Sequence, residues 1–353
     1  PLPTLPDGLS DPAAIDAAAI VQDALNTLSA GLQANDVAQI ASSFLTSQAY
    51  WRDLLALTWH LRTFNDASTI VPSLLQLQRE RGWSGAVTLD HPTAQHITVS
   101  PHLRWVQALF TFETASPAAN CGGRVVLLPE PGADGCSVVW KIWTLSTWVD
   151  SLQAFPEDLE ALKAPGRDLR AEAEEKLETD VLILGGGNAG LILAARLKAL
   201  GVESIIVDRN AQAGDNWALR YDSMKFHIGR HSCETPYLHY PDDSPLILTR
   251  EHLANHMKKY AAAFSLNLLN SSHLVGSSFD QARGTWTFRV HTPFGLKTIR
   301  SKHLAQCTGI GGSKPYIPDL PGEFKGINIH SSEYKNPQVL ADQGVKVCLG
   351  VFF

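Results

Sequence analysis

The chain has 353 residues, of which 44% are hydrophobic, and a formal net charge of −6. Single domains usually run to about 100–200 residues, so this length allows two or three domains, and we expect two. The modest charge, without clusters of Lys and Arg, argues against a nucleic-acid partner. No run reaches the roughly 18 apolar residues that span a bilayer, and the N-terminus carries no secretory signal. We therefore expect a cytoplasmic protein without a membrane partner.

The first part of the chain is predicted to be helical. Residues 13–34 are rich in alanine, with apolar positions at helical spacing, and Asp11-Pro12 supplies a cap. A second helix is predicted over Asp36–Leu45, capped by Asn35 or Asp36. A third is predicted over Tyr50–Leu57.

The pattern then changes from helices to strands. Turn-rich pieces separate four predicted strands, which are Ala94–Val99, Leu103–Phe112, Gly123–Leu128 and Val138–Trp148. Helices followed by an antiparallel sheet indicate an α+β domain, which we place at residues 1–155.

Several aromatic and histidine side chains of this domain are candidates for a pocket lining. They are Trp59, His60, Trp105, Trp140, Trp143 and Trp148, and His96 is a further candidate acid or base. Aromatic residues in a small sheet more often form core packing, which is the reading we favour. Since neither histidine has a visible carboxylate partner, a structural role is favoured for both.

Residues 156–178 are charged and interrupted by Ala164-Pro165-Gly166, and we interpret them as a linker. The chain has five cysteines without a C-x-x-C pair, which are Cys121, Cys136, Cys233, Cys307 and Cys348. Reduced thiols in a cytosolic protein are therefore expected, and we assign no metal site.

Residues 180–209 contain a G-x-G-x-x-G turn between an apolar strand and a helix. Gly185 permits a tight turn, Gly187 lets backbone N–H groups approach a diphosphate, and Gly190 lets the helix pack closely on the strand. A diphosphate is then expected at the positive end of the helix that begins near Asn188-Ala189. The alternative is a glycine-rich turn without a ligand.

The second strand of this unit ends at Asp208-Arg209. A carboxylate in this position accepts hydrogen bonds from ribose hydroxyls and repels a 2′-phosphate. The sequence therefore predicts FAD or NAD, rather than NADP, at the glycine turn. No cysteine follows this strand in residues 214–221, so a dithiol mechanism is excluded.

Further along, a helix capped by Thr249 is predicted to run to about Phe264. The strands expected after it are His273–Phe279, Thr285–His291, Leu296–Arg300 and His303–Thr308. The first three form a β-meander inserted in a Rossmann-type sheet, and the fourth returns to that sheet and ends at Cys307-Thr308-Gly309.

Four segments carry a family resemblance. They are Gly185–Gly190, Gly214–Trp217 with Arg220-Tyr221, Thr308-Gly309 with Lys314–Gly322, and Phe324–Tyr334. The last reads F-x-G-x-x-x-H-x-x-x-Y, and its alternative reading is a glycine-containing loop that ends in a surface turn. Together the segments resemble the class B flavin-dependent monooxygenases, especially the indole-3-pyruvate monooxygenase branch.

This resemblance implies a flavoprotein oxidoreductase that takes both FAD and NADPH. One oxygen atom would reach a small organic substrate through a C4a-hydroperoxide of the flavin. Besides the turn residues, the implied FAD contacts are Asn216 and Trp217 near the flavin ring, the Val275 backbone near adenine, and Thr308 and Gly309 near the diphosphate. Relatives that perform Baeyer–Villiger oxidation carry Trp in place of Tyr334, so heteroatom or N-hydroxylating chemistry is favoured. We assign no catalytic residue.

The N-terminal domain resembles the SnoaL-like, nuclear transport factor-like cone fold. The resemblance rests on the order of its elements and on Trp51–Trp59, taken as a helix that looks like the N-terminal extension of fungal-type flavin monooxygenases. It implies that this domain binds a small molecule or forms a homodimer.

Relatives continue into an NADPH-binding domain with a second glycine turn. Here residues 344–353 present a strand without that turn, so we expect an FAD domain at 179–343 followed by the first strand of a missing NADPH domain. The expected function is a truncated monooxygenase that is partial or inactive. The alternative is a non-catalytic flavoprotein, or a module that binds or dimerises through the N-terminal domain.

Overall fold

The computed structural model describes residues 15–100, 103–132, 137–169, 176–309, 321–323 and 325–346. The chain divides into two compact units, Pro1–Pro156 and Glu157–Phe353. Each unit has its own hydrophobic core.

The described part of the first unit contains three helices, which are α1 (Ala17–Ala34), α2 (Val37–Ser43) and α3 (Ala67–Arg81). The side chain of Asp16 caps α1, and that of Asp36 caps α2 by accepting from two backbone N–H groups. The first two predicted helices are therefore present. The cap predicted at Asp11-Pro12 lies outside the described residues.

Six strands form one sheet in this unit. They are β1 (Tyr50–Leu54), β2 (Leu61–Asn65), β3 (Thr88–Ser100), β4 (Leu103–Ala115), β5 (Ala118–Pro131) and β6 (Val138–Leu152), in the order β2-β1-β6-β5-β4-β3. The last four contain the predicted strands and extend beyond them. Alternate residues of β4, from Val106 to Thr114, are buried, and one apolar cluster joins the sheet to the three helices.

The helix predicted over Tyr50–Leu57 is wrong, as is the helical reading of Trp51–Trp59. Trp51 and Asp53 are buried while their neighbours are more exposed, which is the period of two of a strand. The strand pairs in parallel with β6 and antiparallel with β2. Pairing with β2 and β6 determined the strand conformation of these residues. The short apolar run Leu54–Leu57 gave no indication of that pairing in the sequence.

Sequence patterns also missed α3. Its N-cap residue Asp66 has a φ of 63° and makes no side-chain capping bond, and Pro72 lies inside the helix. Both features are unusual for a helix. Burial of Ile70, Leu74 and Leu75 compensates.

The second unit is built on another six-stranded sheet. In chain order its elements are β7 (Lys176–Leu184), α4 (Asn188–Ala199), β8 (Ser204–Val207), α5 (Asp215–Ala218), β9 (Lys225–Gly229), β10 (Ile247–Thr249), α6 (Arg250–Ala263), β11 (Leu268–Leu269), β12 (His273–Asp280), β13 (Thr285–Thr292), β14 (Gly295–Gln306) and α7 (Pro337–Ala341). The sheet order is β11-β8-β7-β14-β13-β12, and β9 pairs with β10.

Strands β11, β8, β7 and β14 run parallel, which confirms a Rossmann-like α/β arrangement, and β12 to β14 form the predicted meander. One expectation is corrected here. The two strands predicted at Leu296–Arg300 and His303–Thr308 are a single strand, β14. Ser301 and Lys302, which lie between the two predicted strands, belong to it, and its two ends have different partners, β13 and β7.

Part of the predicted linker packs on the second unit. Leu162 and Leu169 are buried in its apolar clusters, and Arg167 forms an ion pair with Glu203 at 2.8 Å. Strand β7 also begins inside the predicted linker, at Lys176.

Candidate functional site

The glycine turn joins the end of β7 to the start of α4. Gly185 has a φ of +109°, and a Cβ on it would lie 2.4 Å from the carbonyl oxygen of Cys307. A Cβ on Gly190 would lie 1.9 Å from the carbonyl oxygen of Gly185. Both positions therefore require glycine, because the atoms in the way are backbone.

Gly187 differs from these two residues. It is the N-cap residue of α4, its φ is −83°, and no side chain caps the helix there. A Cβ on it would meet nothing closer than the Asn216 side-chain nitrogen at 3.6 Å. The first backbone N–H groups of α4, including those of Asn188 and Ala189, have no partner within the helix. The turn thus presents a positive helix end that no side chain of the protein fills, which suits an anion.

The acid that follows β8 lies against the same turn. One oxygen of Asp208 accepts a hydrogen bond from the Gly186 N–H, and the other accepts from the Asn210 N–H at 2.7 Å. The carboxylate is therefore held in place before any ligand arrives. Arg209 is exposed beside it.

Trp217 contacts the first residue of α4. Its indole N–H donates to the side-chain oxygen of Asn188 at 2.8 Å, and Arg220 lies over its ring at 4.8 Å from the centroid. The neighbouring Asn216 side-chain oxygen is buried and makes no hydrogen bond within the described structure. It is the amide nitrogen of the same side chain that lies 3.6 Å from the Cβ position of Gly187. A hydroxyl-bearing ligand would satisfy the buried oxygen of Asn216. The residues present therefore fit a dinucleotide.

The end of β14 completes the wall of the turn. The Cys307 N–H donates to the Leu184 carbonyl at 2.8 Å, and the Thr308 nitrogen lies 3.2 Å from the position of a Cβ on Gly185. Burial raises the pKa of the Cys307 thiol. Gly309 follows with a φ of +74° and open space around it.

Val275 stands apart from this group. It lies in β12 and is 50% exposed. The link to the site is indirect, since the N–H of Ser272, three residues earlier, donates to the Asp208 carbonyl at 2.9 Å. The structure therefore brings together the turn glycines, Asp208, Trp217 and the Cys307-Thr308 corner, with Val275 on an outer strand.

The segment Phe324–Tyr334, which carries the F-x-G-x-x-x-H-x-x-x-Y pattern, is called the signature segment below. The structure describes its residues 325–334. Tyr334 lies beside Tyr221, with ring centroids 6.3 Å apart. Sequence reasoning missed the polar residues that hold the chain directly after this segment, Asp222, Arg250 and Asn336, because they are far apart in the chain and match no motif. The strand expected at 344–353 and the segment Lys314–Gly322 lie mostly outside the described residues.

The aromatic residues singled out in the first unit are mostly structural. Trp105, Trp140 and Trp143 pack partly buried against the core. Trp59 is 46% exposed, with the Arg81 guanidinium 4.2 Å from its ring centroid. His60 is exposed, and burial lowers the pKa of His96.

Cys121, Cys233 and Cys307 are free thiols, and the other two cysteines lie outside the described residues. Within the described ranges, no group of three or more His, Cys, Asp or Glu side chains is arranged to hold a metal ion. Among the described helices, none has the length and apolar character needed to cross a membrane.

Comparison with known proteins agrees with this site. Residues 178–217, which include the glycine turn, Asp208 and Trp217, match the FAD binding domain family. The chain is 32% identical over 181 residues to indole-3-pyruvate monooxygenase YUCCA1 of Oryza sativa subsp. japonica, covering 50% of this chain and 44% of the relative. It is also 32% identical over 169 residues to the probable indole-3-pyruvate monooxygenase YUCCA4 of Arabidopsis thaliana, covering 47% of this chain and 40% of the relative.

Among solved structures, a flavin-containing monooxygenase from Stenotrophomonas maltophilia is similar at 23% identity and a TM-score of 0.42. That similarity covers 46% of this chain and 48% of the other. The chain spans less than half the length of the curated relatives it matches. The FAD binding domain match supports FAD as the ligand of the glycine turn, and the curated relatives are named as monooxygenases.

Proposed function

We propose that this protein serves as an FAD-dependent monooxygenase that uses NADPH and O₂ to oxygenate a small organic substrate. The observation that carries the proposal is the positive end of α4 at Gly187, where a Cβ would meet nothing closer than 3.6 Å, together with the buried, unpartnered side-chain oxygen of the neighbouring Asn216. Similarity to the indole-3-pyruvate monooxygenases supports the reaction type. The activity named for these relatives belongs to their whole length, of which this chain covers less than half.

The residues of the turn have distinct tasks in this proposal. The N–H groups of Asn188 and Ala189 bind the diphosphate, and the absent side chain of Gly187 lets it approach. Asp208 retains free lone pairs on both oxygens and accepts from ribose hydroxyls. A 2′-phosphate would meet its negative charge, which disfavours NADP at this turn.

Asn216 and Trp217 face the other half of the cofactor. Asn216 would accept from a hydroxyl of the linking chain, and Trp217 would exclude water, since Asn188 and Arg220 hold its ring. Thr308-Gly309 would border the diphosphate from the end of β14. Bound FAD supplies the redox chemistry that activates O₂ once NADPH has reduced it.

The substrate class rests on the signature segment. Because Tyr334 replaces the tryptophan of Baeyer–Villiger relatives, we propose a nitrogen, sulfur or similar soft centre as the oxygen acceptor.

For the first unit we propose a SnoaL-like cone that forms a homodimer or binds a small molecule. Its six-stranded sheet with three helices supports this architecture. Sedimentation of the full chain at several concentrations tests the dimer. A monomer mass that stays constant at every concentration would contradict the homodimer.

The experiment for the enzymatic proposal is reconstitution of the purified full chain with FAD, followed by addition of NADPH in air. Uptake of FAD with quenched flavin fluorescence, and then NADPH consumption that depends on substrate, is the expected result. Uptake of FAD without NADPH oxidation would limit the chain to cofactor binding. A folded chain that takes up no FAD would overturn the proposal.

A further inference from the structure

We infer that Asp222 is a positioning residue that ties residues 330–346, the end of the signature segment and the chain after it, to the FAD side of the site. Occupancy by FAD and docking of residues 330–346 then stabilise each other. This inference rests on the proposed function, because it takes FAD as the occupant of the glycine turn.

Asp222 contacts the segment through both its backbone and its side chain. Its N–H donates to the Lys335 carbonyl at 2.7 Å, and its Oδ2 accepts from the side-chain nitrogen of Asn336 at 2.6 Å. The ammonium group of Lys335 donates to the Leu219 carbonyl. The bond from Asn336, followed by that from Arg250, holds the pKa of the Asp222 carboxyl below its usual range.

Asn336 has a second task at this junction. Its side-chain oxygen accepts from the Val339 N–H at 3.0 Å and so caps α7. One side chain thus fixes both the start of α7 and its attachment to Asp222.

The other carboxylate oxygen of Asp222 connects it to the residues around the glycine turn. Its Oδ1 accepts from Arg250 at 2.7 Å, and the same guanidinium nitrogen donates to the Arg220 carbonyl at 2.8 Å. The Arg220 side chain lies over Trp217, whose indole donates to Asn188 at the start of α4. A continuous series of contacts therefore runs from the diphosphate-binding helix end to Asp222.

The segment has little else to hold it. None of the described residues between 321 and 346 is buried, and α7 buries no side chain. Without a buried side chain, docking depends on a few polar contacts and on the ring contact of Tyr334 with Tyr221. Polar contacts in exposed positions contribute modestly. Segments held in this way are among the least stable parts of a protein, so small changes at the residues that hold them alter their docking.

Linkage makes the coupling reciprocal. If FAD fixes Trp217 and Arg220, and thereby the partners of Asp222, then it favours the docked segment. The docked segment must then strengthen FAD binding by the same factor. We expect a factor of about 5, the lower end of measured couplings, because Asp222 is partly exposed.

The test is hydrogen exchange of residues 330–346 in the full chain, with and without FAD, together with the dissociation constant from flavin fluorescence. In the native chain, FAD is expected to slow exchange in this segment. In Asp222→Ala the slowing is lost and FAD binds about 5-fold more weakly. The FAD-dependent difference distinguishes positioning from general loosening, which would raise exchange in both states.

Two further variants test whether a folding defect explains the effect of Asp222→Ala. Asn336→Asp keeps a residue that caps α7 and places a second carboxylate against Asp222, so it should also release the segment. The double variant Asp222→Asn with Asn336→Asp exchanges donor and acceptor and should restore part of the FAD-dependent protection. Asp180→Asn is the matched control, since Asp180 is a partly exposed carboxylate with a cationic partner, Lys302, at 2.8 Å.

The results separate the two proposals. A native chain that binds no FAD defeats the proposed function and this inference with it. A chain that binds FAD without any change of exchange in residues 330–346 defeats the inference alone. So does an Asp222→Ala variant that behaves like Asp180→Asn.

Discussion

At the scale of single residues, the glycines of the turn have different physical roles. Gly190 is packed against the backbone of Gly185, so its missing side chain lets the helix meet the strand. Gly187 has room for a side chain in the protein itself. Its missing side chain is useful only if a ligand lies there. A substitution at Gly190 therefore tests folding, and a substitution at Gly187 tests ligand binding.

Gly190→Ala is expected to lower the free energy of unfolding by about 3 kcal/mol, because overpacking against backbone cannot relax easily. Gly187→Ala should stay within about 0.5 kcal/mol of the native chain and weaken FAD binding by about tenfold or more. Urea titration and flavin fluorescence measure the two effects. Equal FAD affinity in the native chain and Gly187→Ala would contradict the placement of the diphosphate.

Cys121 provides a prediction for alkaline pH. Burial raises the pKa of its thiol from 9.0 to about 11, and the side chain is 1% exposed. The unfolded chain releases this proton near pH 9 while the folded chain retains it, so stability falls as the pH rises from 9.0 to about 11. The difference corresponds to about 2–3 kcal/mol.

The measurement is the free energy of unfolding across this pH range for the native chain and for Cys121→Ala. The native chain should lose about 2–3 kcal/mol relative to the variant on passing through the interval. A difference between the two proteins that does not change with pH would show that the thiol is not protected.

At the scale of elements, β1 depends on a polar network inside the first unit. Trp51 donates to the Thr147 hydroxyl at 2.9 Å, and that hydroxyl donates to Asp53 at 2.7 Å. Asp53 is fully buried and also accepts from the N–H groups of Leu57 and Thr58. The carboxyl group thus joins β1 to β6 and shapes the turn that follows β1.

Asp53→Ala leaves buried backbone N–H groups without a partner and should cost about 3 kcal/mol of stability. Arg52→Ala on the same strand is the control. Arg52 is exposed and donates to Thr63 at 2.8 Å, so its loss should cost under about 0.5 kcal/mol. Thermal unfolding followed by circular dichroism compares them, and similar midpoints for the two variants would refute the structural role of Asp53.

At the scale of the whole molecule, the two units have separate apolar cores. The cluster of the first unit joins α1, α2 and α3 to its sheet, and the clusters of the second lie on both sides of β7 and β8. The glycine turn belongs only to the second unit. A ligand bound there stabilises the unit that holds it.

We therefore expect two transitions in calorimetry of the full chain. FAD at about 100 times its dissociation constant adds about 2.7 kcal/mol, which raises one midpoint by about 5–10 °C. Gly190→Ala should lower that same midpoint and leave the other unchanged. A single transition, or an FAD shift of both midpoints, would contradict independent units.

The sequence by itself predicted the parts of the protein whose signals are local. The glycine spacing, the apolar strands around it and the acid at Asp208 lie within 30 residues of each other, and the structure places them together. The Rossmann-like sheet, the meander and the α6 helix capped by Thr249 were predicted for the same reason, since caps and turns depend on neighbouring residues. The homodimer, the cone fold and the roles of Val275 and Gly309 stay predictions.

Only the tertiary structure decided what depends on distant partners. Residues 50–54 became a strand because β6 and β2 pair with them, and α3 formed despite Pro72 because its apolar face is buried. The contact of Trp217 with Asn188 and the junction of Asp222 with Asn336 join residues 29 and 114 positions apart. No local pattern encodes such contacts, because the energy that selects them appears only when the chain has brought both partners together.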